Sequence, residues 1–310
     1  MPDIVIAFFA LGLLAGVLKS DLKVPGAVYE TLSILLMLTL GLKGGLALHG
    51  SSDSGALLDL VLIAALGLMI PVVLYPLLRR LVRLDTADAV SIAAHYGSVS
   101  AGTFAVALAL AEKADMSLAP ETTLYLVLLE LPALIVMLWW YQKQKGSSHT
   151  QMGVWHEALT NRNILLLVGG VVIGWSYGPE GLAPITPTLM GGFKTFLALF
   201  LLEMGICTAR ACIPLPIQQW RLLLFAAVAP FVLAWVGLGL GVWLGLPAGS
   251  VLVLAALAAS ASYIAAPAAI RAAVPEANIG LAMLASLGIT FPINVLIGLP
   301  LYQQWVLWLT

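Results

Sequence analysis

His95-Tyr96-Gly97-Ser98-Val99-Ser100-Ala101-Gly102-Thr103 sits in the middle of an apolar run from about residue 87 to residue 111. A run of that length can cross a bilayer, which takes about 20 largely apolar residues, yet its centre is glycine and small hydroxyls. A second apolar run, 250–273, is interrupted in the same way by Ala258-Ala259-Ser260-Ala261-Ser262-Tyr263-Ile264-Ala265-Ala266-Pro267. Ser98 and Ser262 are 164 residues apart, and that offset organises the chain around them.

The composition sets the class. Hydrophobic residues make up 61% of the chain and charged residues 9%, with a mean hydropathy of +1.04. An ordinary soluble domain carries roughly 25% charged residues, so this is a membrane protein. No basic cluster points to nucleic acid. Lys19 and Lys23 follow the first apolar run instead of preceding it, and no small-residue cleavage site stands out. The run therefore reads as a first transmembrane helix and not as a signal peptide. Cys207 and Cys212, five residues apart near the end of an apolar segment, read as small packing residues and not as a disulfide or a metal site.

Polar punctuation divides the chain into ten apolar segments, at about 4–18, 26–48, 57–78, 87–111, 122–141, 163–177, 187–209, 221–245, 250–273 and 279–302. A hydrophilic connection, 142–163, separates two halves of five. Loops after the odd-numbered segments hold eleven of the fourteen Lys and Arg residues, among them Arg79, Arg80, Arg83, Arg221 and Arg271. The positive-inside rule then places both termini outside and the connection in the cytoplasm.

The halves also match each other. At the offset of 164, Thr31 falls on Thr195, Gly41 on Gly205, Ser98 on Ser262, Ala101 on Ala265 and Glu112 on Glu276; at 158, Gly12 and Gly16 fall on Gly170 and Gly174. Five helices per half is an odd number, so the second half inserts upside down. The expected fold is all-α and integral to the membrane: ten transmembrane helices in a 5+5 inverted repeat, with broken helices 4 and 9 crossing near the midplane. Inverted repeats with interrupted helices in corresponding positions are the pattern of secondary transporters.

The breaks have a chemistry. The second half-helices should begin near Ser98 and Ser262 and run in opposite directions, so that their N-termini face a common point. A helix N-terminus leaves backbone N–H groups unpaired and carries about half a positive charge. Two such ends, trimmed with the hydroxyls of Ser98, Ser100, Thr103, Ser260 and Ser262, suit a small anion. Gly97 and Gly102 would let backbone approach it closely, and Pro267 suits the first turn of a half-helix. Small residues also permit tight helix packing in membranes, which is the plainer reading of the same stretch.

Acidic residues within the apolar segments are few. Glu130 lies nine residues beyond Glu121, near the midplane at 1.5 Å per residue, and its repeat partner is Asn294; Glu203 lies at similar depth with Thr39 as partner. Oxygen ligands suit a hard cation such as Na+. A hydrogen-bonded Glu that only ties helices together is the alternative. Lys43 and Lys194 are expected to snorkel from helix ends, Glu112 and Glu276 to be interfacial, and His95 to be a local hydrogen-bond partner. His49, His149 and His156 fall in loops without metal spacing.

Three stretches carry a resemblance: HYGSVSAGTF at 95–104, ASASYIAAPAAIRAAVPEAN at 259–278 and GITFPIN at 288–294. With them the chain resembles the sodium-dependent bicarbonate transporters of the SbtA type along essentially all ten segments. The resemblance implies a first repeat at 1–142, a cytoplasmic linker at 143–162 and a second repeat at 163–310. It implies a core domain of helices 3–5 and 8–10, a gate domain of helices 1–2 and 6–7, and a homotrimer in the plasma membrane. The function implied is Na+-coupled import of bicarbonate by alternating access, inorganic carbon uptake in short, with Na+ as the coupling ion and no other cofactor. Substrate contacts would fall on Gly97, Ser98, Val99, Ser100, Ala101 and Gly102, and on Ser260, Ala261, Ser262, Tyr263, Ile264 and Ala265. The cation would fall on Thr103, Glu130, Asn294, Ser98 and Ser262.

Family transporters are regulated by a PII-like protein on the cytoplasmic face. The linker of roughly twenty residues is shorter than the family's, a departure that bears on that partner's contacts. A carrier of larger organic anions with the bile-acid-symporter fold, and an anion sensor without transport, are the rival functions. No arginine sits at depth to pair an organic carboxylate. An enzyme finds no nucleophile–base spacing and no metal motif.

Overall fold

The computed structural model describes residues 4–49, 56–145, 162–212 and 217–310, and within them it is helical throughout, with no strand. The helices are α1 Ile4–Val17, α2 Gly26–Leu48, α3 Ala56–Leu77, α4 Thr86–Gly97, α5 Ala101–Lys113, α6 Tyr125–Lys145, α7 Arg162–Leu182, α8 Phe193–Cys212, α9 Trp220–Trp243, α10 Ala248–Ala258, α11 Ala265–Ala273 and α12 Ile279–Leu309. Eight helical stretches among the described residues are long and apolar enough to cross a membrane, while Ile4–Val17 and Ala248–Ala258 are apolar but shorter. The protein is a multi-pass membrane protein. Most of the connection between the halves, with His149 and His156, lies outside the described residues.

Helix ends follow side-chain chemistry. The Asp85 carboxylate accepts the Asp88 N–H at 2.8 Å and starts α4. The Asn278 side chain accepts from Leu281 at 3.4 Å and starts α12. Each satisfies a backbone donor that the first turn leaves unpaired. α7 runs beyond the predicted end at 177: Gly178 takes φ 63°, which glycine adopts freely, and the helix resumes to Leu182 through Pro179. α3 widens after Pro76 into a π-turn, Leu78–Val82, closed by Arg83 in the left-handed region at φ 67°. α12 carries two π-turns, Leu284–Thr290 and Asn294–Gly298, on either side of Pro292.

Two helix pairs are packed through glycine. α1 lies along α8 and α2 along α7. A Cβ at Gly205 would come within 2.9 Å of the Gly12 carbonyl carbon; one at Gly170 would lie 2.9 Å from Gly41 Cα, and one at Gly174 3.0 Å from Gly45 Cα. In a bilayer, where burying apolar surface between helices gains little over lipid contact, such close approach supplies the packing energy.

The remaining helices surround α4, α5, α10 and α11. In Thr86–Lys113, 94% of the apolar window is buried, against 33% in Leu58–Val82. The stretch Thr86–Lys113 is therefore at the centre of the bundle, and α3 presents most of itself outward. α3 packs on α6, α9 on α10 and α10 on α5. Lys43 does not snorkel: its ammonium pairs with Glu112 at 2.8 Å and lies 4.6 Å from the Phe193 ring centroid, because α2, α5 and α8 meet at that level. Glu276 accepts the Tyr141 hydroxyl at 2.6 Å. Cys207 and Cys212 are free thiols.

Candidate functional site

α4 ends at Gly97 and α5 starts at Ala101, with Ser98 to Ser100 extended between them. Ser100, not Ser98, caps the second half: its Oγ accepts the Thr103 N–H at 3.1 Å. Ser98 closes the first half instead, its N–H donating to Ala94 O at 2.8 Å. On the other side α10 ends at Ala258 and α11 starts at Ala265, and Ser262 Oγ accepts the Ala266 N–H at 3.2 Å. The half-helices thus begin about three residues after Ser98 and Ser262; the residue ahead of α5, Ser100, is extended and carries the cap, whereas Ile264 ahead of α11 is not extended and carries none.

The two breaks lie against each other. Ser262 N–H donates to His95 O at 2.7 Å, and Ser100 N–H donates to Ser260 Oγ at 2.8 Å. A small cavity of about 10 Å³ opens beside them, walled by Val99, Ser100, Ala101, Glu130, Ser262, Tyr263, Ile264 and Ala265. Ala101 and Ala265 are the first residues of α5 and α11, so both helix N-termini reach the same space. Glu130 reaches it from α6, 5% exposed, with no hydrogen bond or ion pair among the described residues.

Three further polar atoms of the α4–α5 break are buried without a hydrogen-bond partner among the described residues: Ser98 Oγ, Thr103 Oγ1 and His95 Nε2. The other ring nitrogen, Nδ1, meets Ser91 O at 2.7 Å. Buried polar atoms are nearly always paired, so a cluster of exceptions calls for a ligand, an ion or water. The hydroxyls of Ser100 and Ser262, the Glu130 carboxyl and two helix N-termini around one space offer oxygen ligands to a cation and N–H groups to an anion, while Ser98 and Thr103 lie outside its wall.

Residues 4–307 match the model of the Na+-dependent bicarbonate transporter superfamily. The chain belongs to that superfamily. It is a transporter and not an enzyme. No curated protein matched the chain. The superfamily's substrates, Na+ and bicarbonate, are chemically of the two kinds that this space can address.

For this member of the Na+-dependent bicarbonate transporter superfamily, the remaining site candidates fall outside the cavity wall. Asn294 Nδ2 donates to Ala259 O at 2.8 Å and its Oδ1 accepts from the Tyr302 hydroxyl at 2.8 Å, so it clamps the end of α10. Glu203 accepts from Cys207 Sγ at 3.3 Å through Oε1, and its Oε2 has no partner among the described residues. Thr39 spends its hydroxyl on Leu35 O of its own helix, at 2.6 Å.

Protein fills the space beside the two glycines expected to face the anion. A Cβ at Gly97 would lie 2.7 Å from Ala133 Cβ and 2.8 Å from Pro71 Cδ, and one at Gly102 would run into the Tyr263 hydroxyl. Residue type alone does not reveal Tyr302, or the bond of 2.6 Å between Tyr96 and Thr290 that ties α4 to α12. The signal available was Pro292, a helix breaker inside an apolar segment that marks local rearrangement.

Proposed function

We propose that the chain is a Na+-coupled symporter that carries bicarbonate into the cell by alternating access, supporting inorganic carbon uptake. The observation that carries this reading is the cavity to which the first residues of α5 and α11 and the unpaired Glu130 all contribute. Positive helix ends draw the anion. The carboxylate and the hydroxyls of Ser98, Thr103 and Ser262 ligate Na+, with Asn294 holding the end of α10 in register. Na+ offsets the repulsion between the anion and Glu130, which makes loading of the two ions mutually favourable. A space of about 10 Å³ admits a water-sized body and not bicarbonate, so loading requires the breaks to part.

The reading includes ten spans in a 5+5 inverted repeat, with both termini outside the plasma membrane. Glycine packing supports the repeat: exchanging Gly12 with Gly170 and Gly41 with Gly205 turns the α1–α8 contact into the α2–α7 contact, and both are present. Those two pairs form the gate, and α3–α6 with α9–α12 form the core that moves against it. Assembly as a homotrimer and docking of a PII-like regulator on the cytoplasmic face belong to the same reading.

Labelled bicarbonate uptake into proteoliposomes, with an inward Na+ gradient against K+ alone, tests it. Uptake should require Na+ and resist competition by organic acids. Ser98→Ala should cut uptake by ~10-fold or more while leaving the melting temperature unchanged, since an orphaned buried hydroxyl stabilises nothing. Ser262→Ala should cut uptake equally and cost about 1 kcal/mol of stability through the lost cap. Wild-type uptake in both variants sinks the assigned pocket, and anion binding without flux makes the protein a sensor.

A further inference from the structure

A groove of about 550 Å³ runs between α3 and α9, away from the ion cavity. Except for Arg80, Arg83 and Arg221, every residue that lines it is apolar. Leu224, Val228 and Val232 line it from α9 and stand 57%, 48% and 58% exposed. No acidic side chain lines the groove, and none of its three arginines has an ion pair among the described residues. Arg80 and Arg83 belong to the π-turn and the left-handed residue that end α3; Arg221 opens α9 with its guanidinium over the Trp220 ring at 5.3 Å. All the cationic groups are therefore at one end, and the rest of the groove follows the two helices into the apolar part of the bundle.

The groove is amphipathic along its length. From Arg221 to Val232 is eleven residues, about 17 Å at 1.5 Å per residue, while one leaflet of hydrocarbon is about 15 Å deep. We propose that it binds an anionic phospholipid, with the phosphate held by Arg80, Arg83 and Arg221 and one acyl chain laid over Leu224, Val228 and Val232. The guanidinium is the side chain best matched to phosphate, by geometry as well as charge; a zwitterionic lipid offers a phosphate too, but its own headgroup cation offsets that charge, so three arginines with no ion pair among the described residues favour a lipid of net negative charge. The floor residue Phe225 packs 5.0 Å from Tyr96, so lipid in the groove buttresses α4 just before its break. The assignment is independent of which ions the protein carries.

The test is native mass spectrometry of the delipidated, purified full chain, titrated with phosphatidylglycerol or with phosphatidylcholine of the same acyl chains, and thermal melting in parallel. An arginine near the headgroups contributes about fivefold in affinity for anionic lipid. Wild type should therefore prefer phosphatidylglycerol on the order of 100-fold and gain melting temperature with it alone. The triple variant Arg80→Gln, Arg83→Gln, Arg221→Gln should bind the two lipids equally while eluting as wild type does. Val228→Trp, which fills the channel and keeps the charges, should lose the phosphatidylglycerol shift as well.

Equal binding of both lipids by wild type overturns the proposal, as does a preference that survives either variant. The same stabilisation from inorganic phosphate alone would make this a site for a soluble anion. Conversion of an oligomer to monomers by Val228→Trp would mean that a second copy covers the groove, and that too overturns it.

Discussion

Glu130 projects from α6 into the cavity, buried, and no cation or N–H of the described chain meets its carboxyl. An unpaired carboxylate in that position costs several kcal/mol in lost solvation, a cost that a bound cation removes. Replacement by the isosteric amide separates ligation from structure. Glu130→Gln should raise the Na+ concentration for half-maximal uptake by ~30-fold, the equivalent of one charge-assisted ligand at ~2 kcal/mol. Its melting temperature should be unchanged or higher, because the uncompensated charge is gone. A Glu that only tied helices together would give the reverse: lower melting and an unaltered Na+ titration. At this scale the sequence is legible as to place, since Ser100, Glu130 and Ser262 do line one space. It is silent where the role depends on a distant segment. Gly97 and Gly102 are glycines because of Ala133, Pro71 and Tyr263, and nothing in the local pattern names those neighbours.

Glycine packing is a property of the helix pair, and neighbouring positions on α7 isolate it. A Cβ at Gly169 meets nothing within 4 Å, whereas one at Gly170 would lie 2.9 Å from Gly41 Cα and 2.9 Å from Leu38 O. Backbone cannot give way as a side-chain tip can. Gly170→Ala should destabilise by about 1–3 kcal/mol, the range for overpacking, and Gly169→Ala should stabilise by about 0.5–1 kcal/mol through helix propensity. Thermal melting of the two variants in one detergent gives the comparison, and equal effects would mean that α2 and α7 do not lie as close as described. Most element ends were readable because charged and polar residues punctuate the apolar segments. The π-turns of α12 were not: in the first, Leu287 O accepts from Thr208 and Gly288 O from Cys212, so that widened turn is matched to α8, and no helical period announces it. Lys43 was misread for the same reason, since its partner Glu112 is on another helix.

In the proposed alternating access the core moves against the gate, and the contact between α8 and α12 is a place to arrest that motion. An ideal Cβ at Gly288 lies 3.0 Å from Cys212 Sγ. A second sulfur on that Cβ can reach the bonding distance of about 2.05 Å with little movement of either helix. The single substitution Gly288→Cys therefore recruits a native thiol, in a chain whose other free cysteine, Cys207, is engaged with Glu203. Under oxidation, uptake by Gly288→Cys should fall to the background of empty liposomes and return on reduction. Gly288→Ala should transport under both conditions, which separates the crosslink from the added methyl group. Adding Cys212→Ser to Gly288→Cys should remove the sensitivity to oxidant, which separates this pair from Cys207. Uptake that continues through a disulfide demonstrated by peptide mapping would mean that α8 and α12 travel together, placing the moving boundary elsewhere in the bundle. Arrest by this one bond would put the boundary between gate and core at the π-turn of α12, where Thr208 and Cys212 donate to carbonyls of the opposite helix and would have to release them in each cycle.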